Sequence, residues 1–320
     1  MIPKNMMLKF SIGIVILVVL LFFAGLQEAV NVLFTLNPYL VLAAFGITFF
    51  TMSFRFLRWK YVLTASSVKV PFGQIMRIFM IGFFFGTITP SKIGNLVKFH
   101  YLKKYYKIRT SRALSLSLAD RIFDILIIVA MSVIGVIFIF TSFSNVIMVA
   151  ISIAVLLVAV FVVLNERIFK KIARIGISKL SFIKRLLKET KEVDLDSTTE
   201  NFYDPFRQIK KLKNFTPVLL FSILVWLSVG LQTTLILNAM GYNVGFVHAT
   251  LFIAMGTLVG LVPITASGLG VREGVFALLL TTIGLPLNVG VLASLIAFLL
   301  GQLPPAIVGL GVYTIYKKKE

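Results

Sequence analysis

The sequence predicts an all-α polytopic membrane protein with about six full transmembrane helices plus two re-entrant helical hairpins in an inverted repeat. Three observations carry this reading. Of 320 residues, 58% are hydrophobic and only 14% are charged, against roughly 25% charged in ordinary soluble domains; mean hydropathy is +0.98. Apolar runs of the ~18 residues that mark a span recur along the whole chain. Two similar segments, "ITPSKIG" (88–94) and "ITASGLG" (264–270), interrupt such runs at an offset of 176 residues.

The first span covers 8–26. It lacks a small-residue cleavage site and further spans follow, so it reads as retained. Lys4 and Lys9 hold the N-terminus on the cytoplasmic side, the side that lysine and arginine mark. A second span from Pro38 returns the chain to Arg55, Arg58, Trp59 and Lys60, read as another inside cluster. The helix 72–87 starts among Lys69 and Arg77, yet the next basic cluster, 103–112, is also cytoplasmic in character. Both ends then lie on one side, and a hairpin with Thr89, Pro90 and Ser91 at its tip satisfies that, because proline lacks the N–H that would continue the helix. Irregular backbone at membrane depth needs protein or a polar cavity around it.

A long outward helix, 111–140, and a returning span, 145–164, follow. The stretch 166–213 holds seven of the twelve acidic residues and reads as a cytoplasmic amphipathic insertion, 165–213. A further span, 215–237, leads outward to the second break, and a last span begins at Pro286, placing both termini in the cytoplasm. The offset of 176 also carries Pro38 to Asn214 and Thr110 to Pro286. The halves are therefore 38–140 and 214–316, with opposite topology, an arrangement of membrane transporters whose broken helices meet near the midplane.

Composition excludes several chemistries. There is no cysteine, and His100 and His248 lack ligand spacing, so neither a thiolate site nor a metal centre is expected, and no cofactor is indicated. The net charge of +20 sits beside apolar spans, pointing to anionic lipid headgroups rather than nucleic acid. No G-x-x-x-x-G-K-[ST] loop occurs, so ATP coupling has no support in this chain.

The run "TPSKIGNLVKFHYL", then "ADRIFD" some twenty residues on, then "VPITASGLGVREG", resembles the transmembrane region of lysylphosphatidylglycerol synthases and their stand-alone membrane relatives, over about 38–313. The resemblance implies a lipid-translocating domain; the synthases' soluble aminoacyl transferase domain has no counterpart in these residues. Where the family shows Gly-Glu and then Arg in the first hairpin, this sequence has Gly94, Asn95 and Lys98. Arg121 and Asp124 match the family's Glu-Arg then Asp pattern with Asp120 replacing the Glu, and Gly268, Gly270 and Glu273 match the second hairpin.

Physical reasoning selects the same residues. Charges inside a membrane are costly and usually paired and functional. Arg272 and Glu273 are the only charged residues between Lys213 and Lys317, and Asp120 and Asp124 share a helix face beside Arg121. Lys98, Arg121 and Arg272 are candidate phosphate partners. Thr89, Ser91, Thr265 and Ser267 could donate hydroxyls, and Gly94, Gly268 and Gly270 could admit a ligand close to backbone. The expected function is translocation of an anionic phospholipid or polyprenyl-phosphate lipid, with no catalytic residue. The alternatives are a secondary transporter of a small soluble anion, or a membrane transferase or hydrolase acting on a lipid-linked substrate. A homo-oligomer and a separate lipid-modifying enzyme are partners left open.

Overall fold

A computed structural model describes residues 34–139 and 211–317 apart from 263 and 266, with isolated positions at 15, 18, 19, 22, 31, 205 and 207–209. The spans expected at 8–26 and 145–164, and nearly all of the insertion, lie outside the described residues. Within the described residues the chain is all-helical, and it is a polytopic membrane protein: α1 (Pro38–Ala65), α2 (Phe72–Ile88), a 3₁₀ turn (Ile93–Val97) running into α3 (Lys98–Tyr106), α4 (Thr110–Ile139), α5 (Leu212–Ala239), α6 (Phe246–Val259), α7 (Val271–Thr281), α8 (Leu287–Gly301) and α9 (Leu303–Lys317). Four stretches are long and apolar enough to cross a membrane: Pro38–Ala65, Thr110–Ile139, Lys213–Ala239 and Leu287–Tyr316.

Local chemistry sets the boundaries. Asn37 caps α1, its Oδ1 accepting from the N–H groups of Tyr39 (3.0 Å) and Leu40 (3.4 Å), and Pro38 occupies the first turn, where no N–H is needed. The 28 residues of α1 span ~42 Å at ~1.5 Å each, ample for a hydrocarbon core of ~30 Å. Helix α2 stops at Thr89, whose backbone is extended (φ −108°, ψ 148°), as expected for the residue before proline. The last span is broken. Gln302 interrupts it (φ −116°, ψ −40°), and Pro304 and Pro305 restart it as α9, where their missing N–H groups cost no hydrogen bond.

The element pattern recurs. Helices α1 and α5 both have 28 residues, and α2 and α6 follow each at the same spacing. Packing recurs too: α2 packs on α9 and α6 on α4, α3 on α4 and α7 on α8, and α1 packs along α5. That central pair is antiparallel. The Asn37 N–H donates to the Ala239 carbonyl (2.9 Å), the Gln232 amide to the Ala44 carbonyl (2.9 Å), and Arg58 meets Ser222, so numbering rises along one helix as it falls along the other.

One end of the molecule is basic. Arg112 donates to the Ser66 carbonyl (2.5 Å) and Tyr316 to Gln74 (3.3 Å), gathering Lys69, Arg77, Lys107 and Arg109 there. The opposite end, where Phe138 meets His248, carries no Lys, Arg, Asp or Glu among the described residues. Helix α2 starts at the basic end and α6 at the other, and their tips meet: the Ser91 hydroxyl donates to the Leu261 carbonyl at 2.6 Å. The two tips share a backbone signature. Ser91 and Lys92 have φ of 52° and 55°, and Ser267 and Gly268, each 176 residues further on, have 53° and 77°. Three apolar cores form, one around Trp59, Phe99 and Leu116, one around Phe252, Phe276 and Leu292, and one around Ile128, Val225 and Trp226.

Candidate functional site, a cation-rich cavity at the hairpin tips

Between those cores the polar residues converge. Helix α1 presents Thr48, Thr51, Arg55 and Arg58, whose spacing of three and four places them on one face. Helix α4 presents Asp120, Arg121 and Asp124, α5 presents Trp226 and Gln232, the first tip presents Lys92, and α7 presents Arg272 in its first turn. Two small compartments result, with cavity volumes of about 50 Å³ and 20 Å³. They share Arg55, Lys92, Arg121, Asp124 and Gln302 as lining, so they adjoin each other, and together they are the cavity.

A chain of buried ion pairs forms one wall. Lys98 donates to Asp120 Oδ2 (2.6 Å), Arg58 Nε to Asp120 Oδ1 (2.8 Å), Arg58 Nη1 to Asp124 Oδ1 (3.4 Å) and Arg121 Nη1 to Asp124 Oδ2 (2.5 Å). The Trp226 indole N–H also donates to Asp124 Oδ1 (3.3 Å), and Arg58 Nη1 to the Ser222 hydroxyl (3.4 Å). Across the cavity Arg272 pairs with Glu273, which also accepts from the Gly270 N–H (2.7 Å), and the Arg272 guanidinium lies 5.5 Å from the Phe298 ring centroid. Buried charges survive only with such pairing and hydrogen bonding.

Charge does not balance. The cations of this cluster are Arg55, Arg58, Lys92, Lys98, Arg121 and Arg272; the carboxylates are Asp120, Asp124 and Glu273. Three positive charges are in excess among the described residues. Several donors are open: Arg55 Nε, Arg121 Nη2 and Arg272 Nε are buried with no hydrogen-bond partner. An arrangement of this kind can hold an anion.

The residues anticipated from sequence take distinct places. Arg121, Asp124 and Arg272 line the larger compartment, and Asp120 the smaller. Lys98 is fully buried on Asp120, its ammonium 4.1 Å from the Trp59 ring centroid, and does not reach the cavity. Thr89 fastens the first tip, donating to the Phe85 carbonyl (2.7 Å) and accepting from the Gly94 N–H (2.7 Å). A Cβ on Gly94 would overlap that same carbonyl, so the open side of Gly94 is filled by α2. Gly268 stands 2.7 Å, measured from its ideal Cβ, from the Gly260 carbonyl, and Gly270 is the N-cap of α7. Ser91 links the tips, while the hydroxyls of Thr265 and Ser267 are buried without a partner and do not line the cavity.

Sequence reasoning missed Arg55 and Arg58, read as a marker of the cytoplasmic side, and Lys92, Trp226, Gln232 and Gln302. The polar stripe of α1 at helical spacing was the available signal for the two arginines; Gln302, beside a Gly and two prolines inside an apolar run, was the signal for the broken last span.

The fold and this site define a class: a polytopic helical membrane protein built around an internal charged cavity where two helical hairpins meet. The chain belongs to the family described as the lysylphosphatidylglycerol synthase TM region, which matches residues 10–309. It is similar to a UPF0104 membrane protein of Pyrococcus horikoshii (21% identical, covering 96% of each chain) and to one of Methanocaldococcus jannaschii (23%, covering 96% of this chain and 94% of the relative). It is also similar to a UPF0104 membrane protein of Methanothermobacter thermautotrophicus (25%, covering 89% and 88%).

Proposed function

We propose that this protein moves a lipid with an anionic headgroup between membrane leaflets, the headgroup passing through the cavity while the chains stay in the bilayer. The observation that carries this reading is the excess of three positive charges around a cavity at the meeting point of two hairpin tips. The antiparallel α1 and α5, each opening a matching set of helices, support an inverted repeat, and on that reading the hairpins are re-entrant from opposite faces. The basic end faces the cytoplasm. Catalysis is not part of the proposal: the oxygens of Asp120 and Asp124 are held by cations or by the Trp226 N–H rather than free to act as a base.

The test uses purified protein in vesicles. Headgroup-labelled phosphatidylglycerol should cross to the leaflet shielded from an added quencher, and labelled phosphatidylcholine should cross far more slowly. Retention of both lipids with release of trapped sulfate would replace this reading with transport of a soluble anion.

A further inference from the structure

Resting on the reading that this cavity takes an anionic headgroup, we propose that the group it prefers is a terminal phosphoryl group with about two or more negative charges, a phosphomonoester or a diphosphate, and that Lys92 selects it. Charge comes first. Arg58, Lys98 and Arg121 share only two carboxylates, Asp120 and Asp124, and Arg272 has Glu273. Arg55 and Lys92 have no carboxylate at salt-bridge distance among the described residues. A phosphodiester brings one negative charge and leaves two of the three excess positive charges uncompensated. A phosphomonoester brings about −1.5 to −2 at neutral pH, and a diphosphate more. Uncompensated charge is costly in this setting, so the multiply charged group is favoured.

The donors agree with the charge. Arg55 Nε, Arg121 Nη2 and Arg272 Nε are buried and unpartnered, and their residues line the same compartment. Three guanidinium groups around one compartment suit the several oxygens of a phosphoryl group.

Lys92 adds an independent observation. It lies in the left-handed region, φ 55°, directly after Ser91 at 52°, a conformation that L side chains adopt with difficulty. At the matching position of the second tip the residue is Gly268, φ 77°. The first tip keeps a lysine where glycine would be unstrained, and that lysine lines both compartments. Strain held in place at such a point goes with function.

The test titrates the whole protein in mixed micelles by thermal shift, with phosphatidic acid and phosphatidylglycerol of identical chains, and with inorganic pyrophosphate. Phosphatidic acid should bind at least about tenfold tighter than phosphatidylglycerol. Lys92→Gly should weaken phosphatidic acid binding about tenfold or more and bring it towards the value for phosphatidylglycerol, while its melting temperature without lipid equals or exceeds that of the native protein. Lys92→Arg should keep most of the preference. Equal affinity for the two lipids, or an unchanged preference in Lys92→Gly, overturns the proposal; if phosphatidylglycerol still crosses vesicles in that case, the translocation reading stands alone. Tight, Lys92-dependent binding of phosphatidic acid and pyrophosphate with no lipid crossing supports the charge selectivity and overturns translocation. Pyrophosphate binding far tighter than phosphatidic acid identifies the source of the phosphoryl group as soluble.

Discussion

The hydroxyl of Ser91 donates to the carbonyl of Leu261 across 2.6 Å, a hydrogen bond between residues 170 apart that ties one hairpin tip to the other. Its partner by repeat position, Ser267, is buried with no partner at all. Ser91→Ala should therefore lower stability in detergent by about 1 kcal/mol, the usual net value of a buried hydrogen bond, and Ser267→Ala should be neutral or stabilising. Chemical denaturation of the two variants checks this. A larger loss for Ser267→Ala would show that the tips are held together differently.

Lys98 and Asp120 are a buried pair, 0% and 4% exposed. Removing one partner strands the other, so Asp120→Asn should cost about 3–5 kcal/mol. In the double variant Lys98→Met with Asp120→Asn, much of that loss should be recovered, because no ammonium is then stranded and Arg58 keeps Asp124. Unfolding measured for the two singles and the double gives the coupling; additive losses would place Lys98 free of Asp120, as a headgroup ligand would be.

Gly94 and Gly46 differ in what surrounds them. A Cβ at Gly94 would run into the Phe85 carbonyl and the Thr89 hydroxyl, whereas at Gly46, inside α1, no atom lies within 4 Å. Gly94→Ala should destabilise by about 1–3 kcal/mol through overpacking, and Gly46→Ala should be neutral or better, alanine being the stronger helix former. Equal melting temperatures for the two would mean that the first tip has room to spare.

The proposed orientation puts the basic end in the cytoplasm. Lys107 and Asn243 are both exposed and lie at opposite ends. In a chain without cysteine, Lys107→Cys should react with an impermeant thiol reagent only from the cytoplasmic side and Asn243→Cys only from the other. Labelling of both from one side contradicts the inverted arrangement.

The spans within the described residues were legible because apolar length and proline placement act locally: the helix expected at 72–87 is Phe72–Ile88, and the last span begins one residue after Pro286. The arginines of α1 were not legible as site residues. A charge after an apolar run reads the same whether the helix ends at the membrane surface or continues; here α1 continues seven residues past Arg58 to Ala65. That extension folds Arg58 back onto Asp120, 62 residues away, a pairing set by tertiary packing. Lys98 shows the converse. Its charge inside an apolar segment signalled a ligand contact, but Asp120 and the Trp59 ring already satisfy it.

The most direct measurement concerns Gln302, a neutral residue that lines both compartments. In Gln302→Cys, attaching a bulky anionic thiol reagent should stop the crossing of labelled phosphatidylglycerol in vesicles, because the group fills the cavity and occupies its cations. The same reagent on Leu278→Cys, 61% exposed on α7, should leave crossing unchanged. Undiminished crossing with Gln302→Cys fully labelled would contradict passage of the headgroup through this cavity.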